Sequence, residues 1–305
     1  MVFKLRTLNS NSIIVCAAIF LASCASGGAK KNTTEVTVDS AELEQDIFKD
    51  ISHAKQIFYS LPSPLESAML IKSAGANFND KILNPLNNVT KYTNNKTMSL
   101  NLGIYITDLS YASMFDQAQV TIKYMEVSRK MADGLGITDA IDQNTINRLE
   151  ENINNRDVIL DIISESFMSS TAFLKENDRQ PLATMSLVGG WVEGLYLATQ
   201  LVGEGSIEGN KIVGRIVDQK LSLDMVIKLL ENNKENKDVN DIEILIKELK
   251  KVYDKITIKS SKIQAVVDQK TNETNLKSTS TSNITQEVFV ELKEAVKIVR
   301  TNFTL

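Results

Sequence analysis

The sequence predicts an all-α fold, a bundle of roughly nine to eleven helices. Apolar residues recur at the three- and four-residue spacing of amphipathic helices through most of the chain. Strand patterns are absent apart from short ambiguous runs, and all four prolines lie at or before Pro181, outside the C-terminal amphipathic runs. With 305 residues, of which 43% are hydrophobic, the chain can bury a substantial core without covalent crosslinks.

The N-terminus has the pattern of a secretory signal. Lys4 and Arg6 precede the apolar run IIVCAAIFL, which is shorter than the about 20 residues of a transmembrane helix. The run ends in Leu21-Ala22-Ser23-Cys24, which resembles the lipobox of bacterial lipoproteins. That resemblance implies cleavage before Cys24 and lipid attachment to it; an ordinary signal peptide with a chance cysteine is the alternative. Residues 1–23 are therefore predicted as a signal peptide, and 24–39 as the lipidated cysteine and a flexible tether.

A lipidated Cys24 would hold the protein at a membrane surface through acyl chains that do not span the bilayer. Ala25 stands where an acidic residue would indicate inner-membrane retention in some Gram-negative bacteria, so the expected location is the outer membrane. The leaflet, and with it a periplasmic or a surface-facing position, stays open. Since Cys16 would be cleaved away and Cys24 acylated, the mature chain would have no thiol for disulfides, catalysis or metal binding.

Helices are predicted in order from residue 40, and residues 40–305 are expected to form a single domain. The first two helices start at Ser40 and at Ser63, the second with a capping-box pattern. The pair Asn84-Pro85 then interrupts the helical pattern. Helical periodicity resumes at 97–131, with a bend near Asp116, and glycines end it.

The second half of the chain continues the helical pattern. A run from Thr145 forms one long helix or two that meet near Asn154-Asn155, and Pro181 initiates the next helix. Two further helical runs are predicted before a polar stretch interpreted as a mobile loop, and one is predicted after it. The three helical runs are 208–232, 238–257 and 285–300, and the loop is 259–283.

Two segments, 97–115 and 184–202, begin with the same letters and are predicted as pseudo-repeated core helices. Aligned without gaps they share five residues, one of which is a glycine, Gly103 in the first copy and Gly190 in the second. Small residues recur every four positions in each copy, along one side of the predicted helix. Because glycine costs a helix about 1 kcal/mol, this pattern predicts that another backbone crosses closely there. Duplication and chance both account for five matches.

These segments supply the candidate site residues. Asp108 and Glu193 lie on apolar, aromatic faces, and a buried carboxylate must be paired or hydrogen-bonded. Arg156 is the predicted ion-pair partner. One interpretation is an acidic, aromatic groove for a sugar, an amine or a partner's basic residue; the other is that the acids tie the helices together. The groove residues would be Tyr105, Asp108, Tyr111, Trp191, Glu193 and Tyr196.

The segments NLGIYITDLSYA, ENINNRDVIL and GGWVEGLYLATQ resemble parts of a group of helical lipoproteins from Gram-negative bacteria. They cover about a tenth of the chain. No activity is established for that group. The resemblance therefore implies a fold and a location, and it transfers no catalytic residue.

Several function classes are set aside by composition. The chain has 34 basic and 38 acidic residues, which is not the charge balance of a nucleic-acid-binding protein. No catalytic, metal or cofactor motif is found, and the single histidine is a poor base for a nucleophilic triad. We expect a lipid-anchored, non-enzymatic protein that binds an envelope protein or component. A small-ligand carrier with a pocket between the two glycine-bearing helices is the alternative, and a carboxylate-based hydrolase is the third hypothesis.

Overall fold

The computed structural model describes residues 4–6, 62–203, 205–260, 264–268, 273–277 and 280–305. The predicted cleavage site, Cys24, the tether and the helix from Ser40 lie outside the described residues. The described part contains nine α-helices and three 3-10 helices, which confirms the all-α prediction. The α-helices are α1 (Pro64–Ser73), α2 (Asn95–Met114), α3 (Ala118–Gly134), α4 (Gln143–Glu151), α5 (Arg156–Glu176), α6 (Gln180–Leu201), α7 (Lys211–Glu231), α8 (Lys237–Tyr253) and α9 (Gln286–Thr304). The 3-10 helices are Asp80–Ile82, Leu86–Lys91 and Thr138–Ile141.

Polar side chains start most of these helices. The Ser63 hydroxyl accepts from the backbone N–H of Glu66 and the Glu66 carboxylate accepts from that of Ser63, so the predicted capping box is confirmed. Asn155 caps α5, which separates it from α4 and gives two helices where one or two were predicted. Thr285 caps α9 at the predicted start. The helix boundaries thus follow from local hydrogen bonding that the sequence displays.

Five helices end with a residue in the left-handed backbone region. At Gly75, Gly136 and Gly203, φ is +91°, +68° and +70°, a conformation that glycine adopts at little cost. At Asp116 and Asp178, φ is +60° and +57°, where a side chain is present. The N–H of Gln117 donates to Ala112 O and that of Asp116 to Ser113 O, the two bonds of a Schellman motif. The bend predicted near Asp116 is therefore a full break between α2 and α3.

The two glycine-bearing helices, α2 and α6, cross at the centre of the bundle. A Cβ added to Gly103 would lie 1.9 Å from Ser186 O and 2.7 Å from Gly190 N, and one added to Gly189 would lie 2.2 Å from Leu100 O. The predicted close backbone approach is confirmed. Gly103 and Gly190 are equivalent positions of the two copies, so the copies meet at the same residue, as a local pseudo-twofold requires.

Both central helices are enclosed by the others. Every residue of α2 from Ser99 to Met114 is buried, and α6 is buried over most of its length. Helices α1, α5 and α9 each pack against both α2 and α6, while α3 packs on α2 and α7 on α6. Their apolar stripes complete the core around a centre that is buried on all faces.

The chain divides into two compact units, one of Tyr59–Ile258 with Ser282–Leu305 and one of Met1–Phe58 with Lys259–Thr281. In the second unit, the structure differs from the loop predicted at 259–283. Strands β3 (Gln264–Asp268) and β4 (Glu273–Lys277) pair antiparallel, and β4 also pairs with β1 (Lys4–Arg6). Short strands β2 (Ile258–Ser260) and β5 (Ser280–Ser282) pair with each other. The two valines of β3 favour a strand, but the polar residues on either side of them hide this strand pattern in the sequence.

Candidate functional site

A buried ion pair lies at the centre of the helical unit. Glu193 on α6 is fully buried, and its two oxygens accept hydrogen bonds from Arg300 Nε at 3.0 Å and Nη2 at 3.2 Å. Arg300 comes from α9, and its guanidinium lies 4.7 Å above the ring of Tyr196. A planar guanidinium that meets a carboxylate through two bonds is the geometry that offsets burial of a charge. The acid predicted on α6 is therefore neutralised by a structural partner.

The prediction that Arg156 is the ion-pair partner of the buried acids is wrong. Arg156 is the first residue of α5 and bonds to Asp116, with 42% of its side chain exposed. Asp116 binds it because the left-handed turn after α2 places this carboxylate beside the start of α5. The actual partner could have been found in the sequence. Arg300 lies four residues after Val296, so it lies on the same side of α9 as the buried apolar stripe. An arginine on a core-facing stripe indicates a buried acid elsewhere.

Asp108 lies beside this ion pair and is also fully buried. Its Oδ2 accepts from the backbone N–H of Asn84 at 3.0 Å, whereas Oδ1 has no hydrogen-bond donor among the described residues. Burial and the neighbouring charge of Glu193 raise the pKa of Asp108 well above its usual range, and Arg300 only partly opposes them. The raised pKa favours the protonated, neutral form of this carboxyl group. Two acids and one arginine form a single, nearly neutral cluster.

A network of asparagine and tyrosine side chains, which sequence analysis missed, extends from Asp108. The Asn84 amide donates to the Tyr92 hydroxyl at 3.1 Å and to Asn101 Oδ1 at 3.2 Å. Tyr124 donates to Asn84 O at 2.9 Å, and Tyr105 donates to Pro85 O at 3.0 Å. These bonds satisfy polar groups in the interior, and burial raises the pKa of Tyr105. The break predicted at Asn84-Pro85 is therefore also a polar anchor for α2.

The remaining predicted residues have structural partners as well. The Tyr111 hydroxyl donates to Asn77 O at 3.1 Å and accepts from the N–H of Asn79 at 2.9 Å. Trp191 Nε1 donates to Gln219 Oε1 at 3.0 Å. Trp191 also lines a cavity of about 30 Å³ between α1, α6 and α7, which has room for one water molecule.

The structure brings part of the predicted set together but does not open it to solvent. Asp108, Glu193 and Tyr196 meet around Arg300, while Tyr111 and Trp191 serve other contacts. All of the predicted groove residues are buried except Tyr196, which is partly exposed. These residues form a buried polar cluster that holds α2, α6 and α9 together. An open groove, which was one of the two interpretations of the sequence, is not formed by these residues.

Among the described residues, His, Cys, Asp and Glu side chains do not gather in groups of three or more that could hold a metal ion. Within the same part of the chain, the helices lack the combined length and apolar character needed to cross a membrane. No protein-family model, curated protein or solved structure matches this chain.

Proposed function

We propose that this protein is a lipoprotein of the bacterial cell envelope, attached through Cys24 and acting by binding a protein or another envelope component. The observation that carries the proposal is the order of basic residues, short apolar run and Leu21-Ala22-Ser23-Cys24 at the N-terminus. Ala25 favours the outer membrane as the site of attachment. Several acyl chains on one residue give stable anchoring, because each buried methylene contributes about 0.8 kcal/mol.

The burial of the two candidate acids supports a non-enzymatic role. A hydrolase needs two carboxylates that face substrate, whereas Asp108 and Glu193 are fully buried beside each other and engage Arg300. The alternative of a ligand pocket between the glycine-bearing helices has little geometric support, since the backbones of α2 and α6 touch there. A role as a helical binding protein agrees best with such a sealed interior.

The anchor is tested with the two cysteines as a matched pair. Cys24→Ala should abolish incorporation of a labelled fatty acid and release the protein from membranes, whereas Cys16→Ala, in the segment proposed to be removed, should leave both unchanged. Labelling that persists in Cys24→Ala would refute the anchor. Binding is tested by crosslinking in intact cells, where a discrete adduct with an envelope component is expected. A chain that stays uncrosslinked at saturating reagent would contradict the binding role.

A further inference from the structure

The last turn of α9 is held by polar side chains from the interior of the helical unit. Asn101 Nδ2 donates to Phe303 O at 2.8 Å. The Tyr92 hydroxyl donates to Thr304 O at 3.4 Å. Phe303 and Thr304 are buried, and the last carbonyls of a helix have no partner inside it. These two bonds therefore satisfy carbonyl groups that would otherwise be buried and unpaired.

Both of these bonds are connected to Asp108 through Asn84. The Asn84 amide donates to Asn101 Oδ1 at 3.2 Å and to the Tyr92 hydroxyl at 3.1 Å, which uses both of its N–H groups. The backbone N–H of Asn84 donates to Asp108 Oδ2 at 3.0 Å. One asparagine thus bonds the carboxyl group of Asp108 and also orients the two side chains that bind the end of α9.

The third polar contact of α9, from Arg300 to Glu193, belongs to the same cluster. Thr107, next to Asp108, donates to Gly190 O at 3.2 Å, and Glu193 follows Gly190 by one turn of α6. The helix crossing therefore places two buried carboxyl groups beside one guanidinium. If both were ionised, two negative charges would meet one positive charge in a sealed interior, and Asp108 Oδ1 has no donor among the described residues. Docked α9 thus favours one proton on the pair.

The groups around Asp108 come from every element that packs on it. Burial raises the pKa of the nearby tyrosines, so they stay neutral. The charged residues of α5 are exposed, Lys72 of α1 reaches Asp116, and Arg129 of α3 bonds to Gln143. Lys293 lies two turns before Arg300, about 10 Å along the axis of α9. The titratable groups that interact with Asp108 are Glu193 and Tyr196 on α6, Arg300 on α9, Tyr124 on α3, and Tyr105 and Tyr111 on α2.

The chain connection of α9 permits it to open separately. Lys259–Thr281, which belong to the second compact unit, stand between α8 and α9 in the sequence. Helix α9 is therefore joined to the other helices of its unit through a separate segment instead of a short loop. Elements that are connected in this way can open as cooperative units while the rest of a core stays folded.

We propose that a proton controls the docking of α9: the helix docks while the Asp108–Glu193 pair holds one proton, and loss of this proton favours its detachment from α2 and α6. When α9 detaches, water reaches both carboxyl groups and the pair ionises, so detachment releases one proton. Docking is therefore favoured below the ordinary aspartate pKa of about 4 and weakens as pH rises above it. The proposal does not rest on lipidation. Detachment exposes the apolar side of α9, which consists of Phe289, Leu292, Val296, Val299 and Phe303.

The test is hydrogen–deuterium exchange of the full chain, read by peptide mass spectrometry at a series of pH values above about 4. Exchange rates divided by the intrinsic rate at each pH give the opening constant of each peptide. The opening constant of α9 should exceed those of α2 and α6, and it should rise about tenfold per pH unit while only docked α9 holds the proton. Asp108→Asn is neutral at every pH and can still accept from Asn84 and donate to Glu193, so it should abolish this rise.

Glu243→Gln is the matched control, since Glu243 is a buried acid that pairs with Lys247 on α8, a helix that also packs on α9. It should leave the rise with pH unchanged. If Asp108→Asn does not fold, Glu193→Gln takes its place and should also reduce the rise, because one carboxyl group then remains for Arg300. Three results would each overturn the proposal: a wild-type α9 opening constant that is independent of pH, the wild-type rise in the Asp108 or Glu193 variant, or opening constants of α9 that equal those of α2 and α6 at every pH.

Discussion

Replacement of Gly103 by alanine tests the helix crossing at the centre of the fold. The new Cβ would stand 1.9 Å from Ser186 O and 2.7 Å from Gly190 N, where ordinary contacts begin at 3.4 Å. Both neighbours are backbone atoms that cannot rotate away, so the cost should reach the upper end of the 1–3 kcal/mol typical of overpacking, about 3 kcal/mol. Alanine returns about 1 kcal/mol of helix propensity. The net loss in the free energy of unfolding is about 2 kcal/mol.

Gly214 on α7 is the control, because a Cβ there meets no heavy atom of the described residues within 4 Å. Gly214→Ala should therefore stabilise by about 0.5–1 kcal/mol from helix propensity alone. The assay is urea unfolding, where the midpoint should fall for Gly103→Ala and rise for Gly214→Ala with little change in slope. If both variants unfold at the same urea concentration, the two central backbones do not touch and the argument for the repeated segments fails.

Three further predictions concern the charged groups. Burial and Glu193 raise the pKa of Asp108, so its contribution to stability is fully present below its unfolded pKa of about 4 and is lost as pH rises. While only the folded chain holds the proton, the loss is about 1.4 kcal/mol per pH unit. Urea unfolding at a series of pH values above about 4 should show this decline, and Asp108→Asn should lack it; parallel profiles would mean that Asp108 is ionised. Arg300→Met should cost about 3–5 kcal/mol, because Glu193 would stay buried alone. Adding Glu193→Gln should recover much of that loss in the same assay, and no recovery would contradict the pairing. Asp116→Gly and Asp178→Gly relieve the same backbone conformation, but of the two only Asp116 has an arginine partner among the described residues. Asp116→Gly should therefore be less stable than Asp178→Gly by about 0.5–1 kcal/mol. Equal unfolding midpoints of the two variants would show that the Asp116–Arg156 pair contributes nothing to stability.

Features that depend on nearby residues could be predicted from the sequence. The capping box at Ser63, the break near Asp116 and the helix start after Thr285 each arise within a few residues of chain. The crossing at Gly103 was also predictable, because small residues at four-residue spacing leave only one way to compensate the cost of glycine in a helix.

Features that depend on distant parts of the chain could not be predicted with the same reliability. Glu193 and Arg300 are 107 residues apart in the chain. The pattern of a single sequence does not show that this side of α9 packs against this side of α6. The sequence left the choice between a groove and a core open for a related reason: a helix face with aromatic and acidic residues is the same pattern whether it lines a cleft or a core. Only the arrangement of α9 over Glu193 separates the two cases.

The separation of Glu193 from Arg300 along the chain has a consequence during synthesis. A ribosome that adds about 5–20 residues per second makes Arg300 about 5–20 s after Glu193. If α2 and α6 packed together during that interval, the Glu193 carboxylate would be buried without Arg300 to balance its charge. Nascent chains therefore gain little from early collapse, and commitment to the compact state waits for the last helix. Such a delay suits a polypeptide that is threaded through a membrane before it folds, which is what the proposed signal peptide requires.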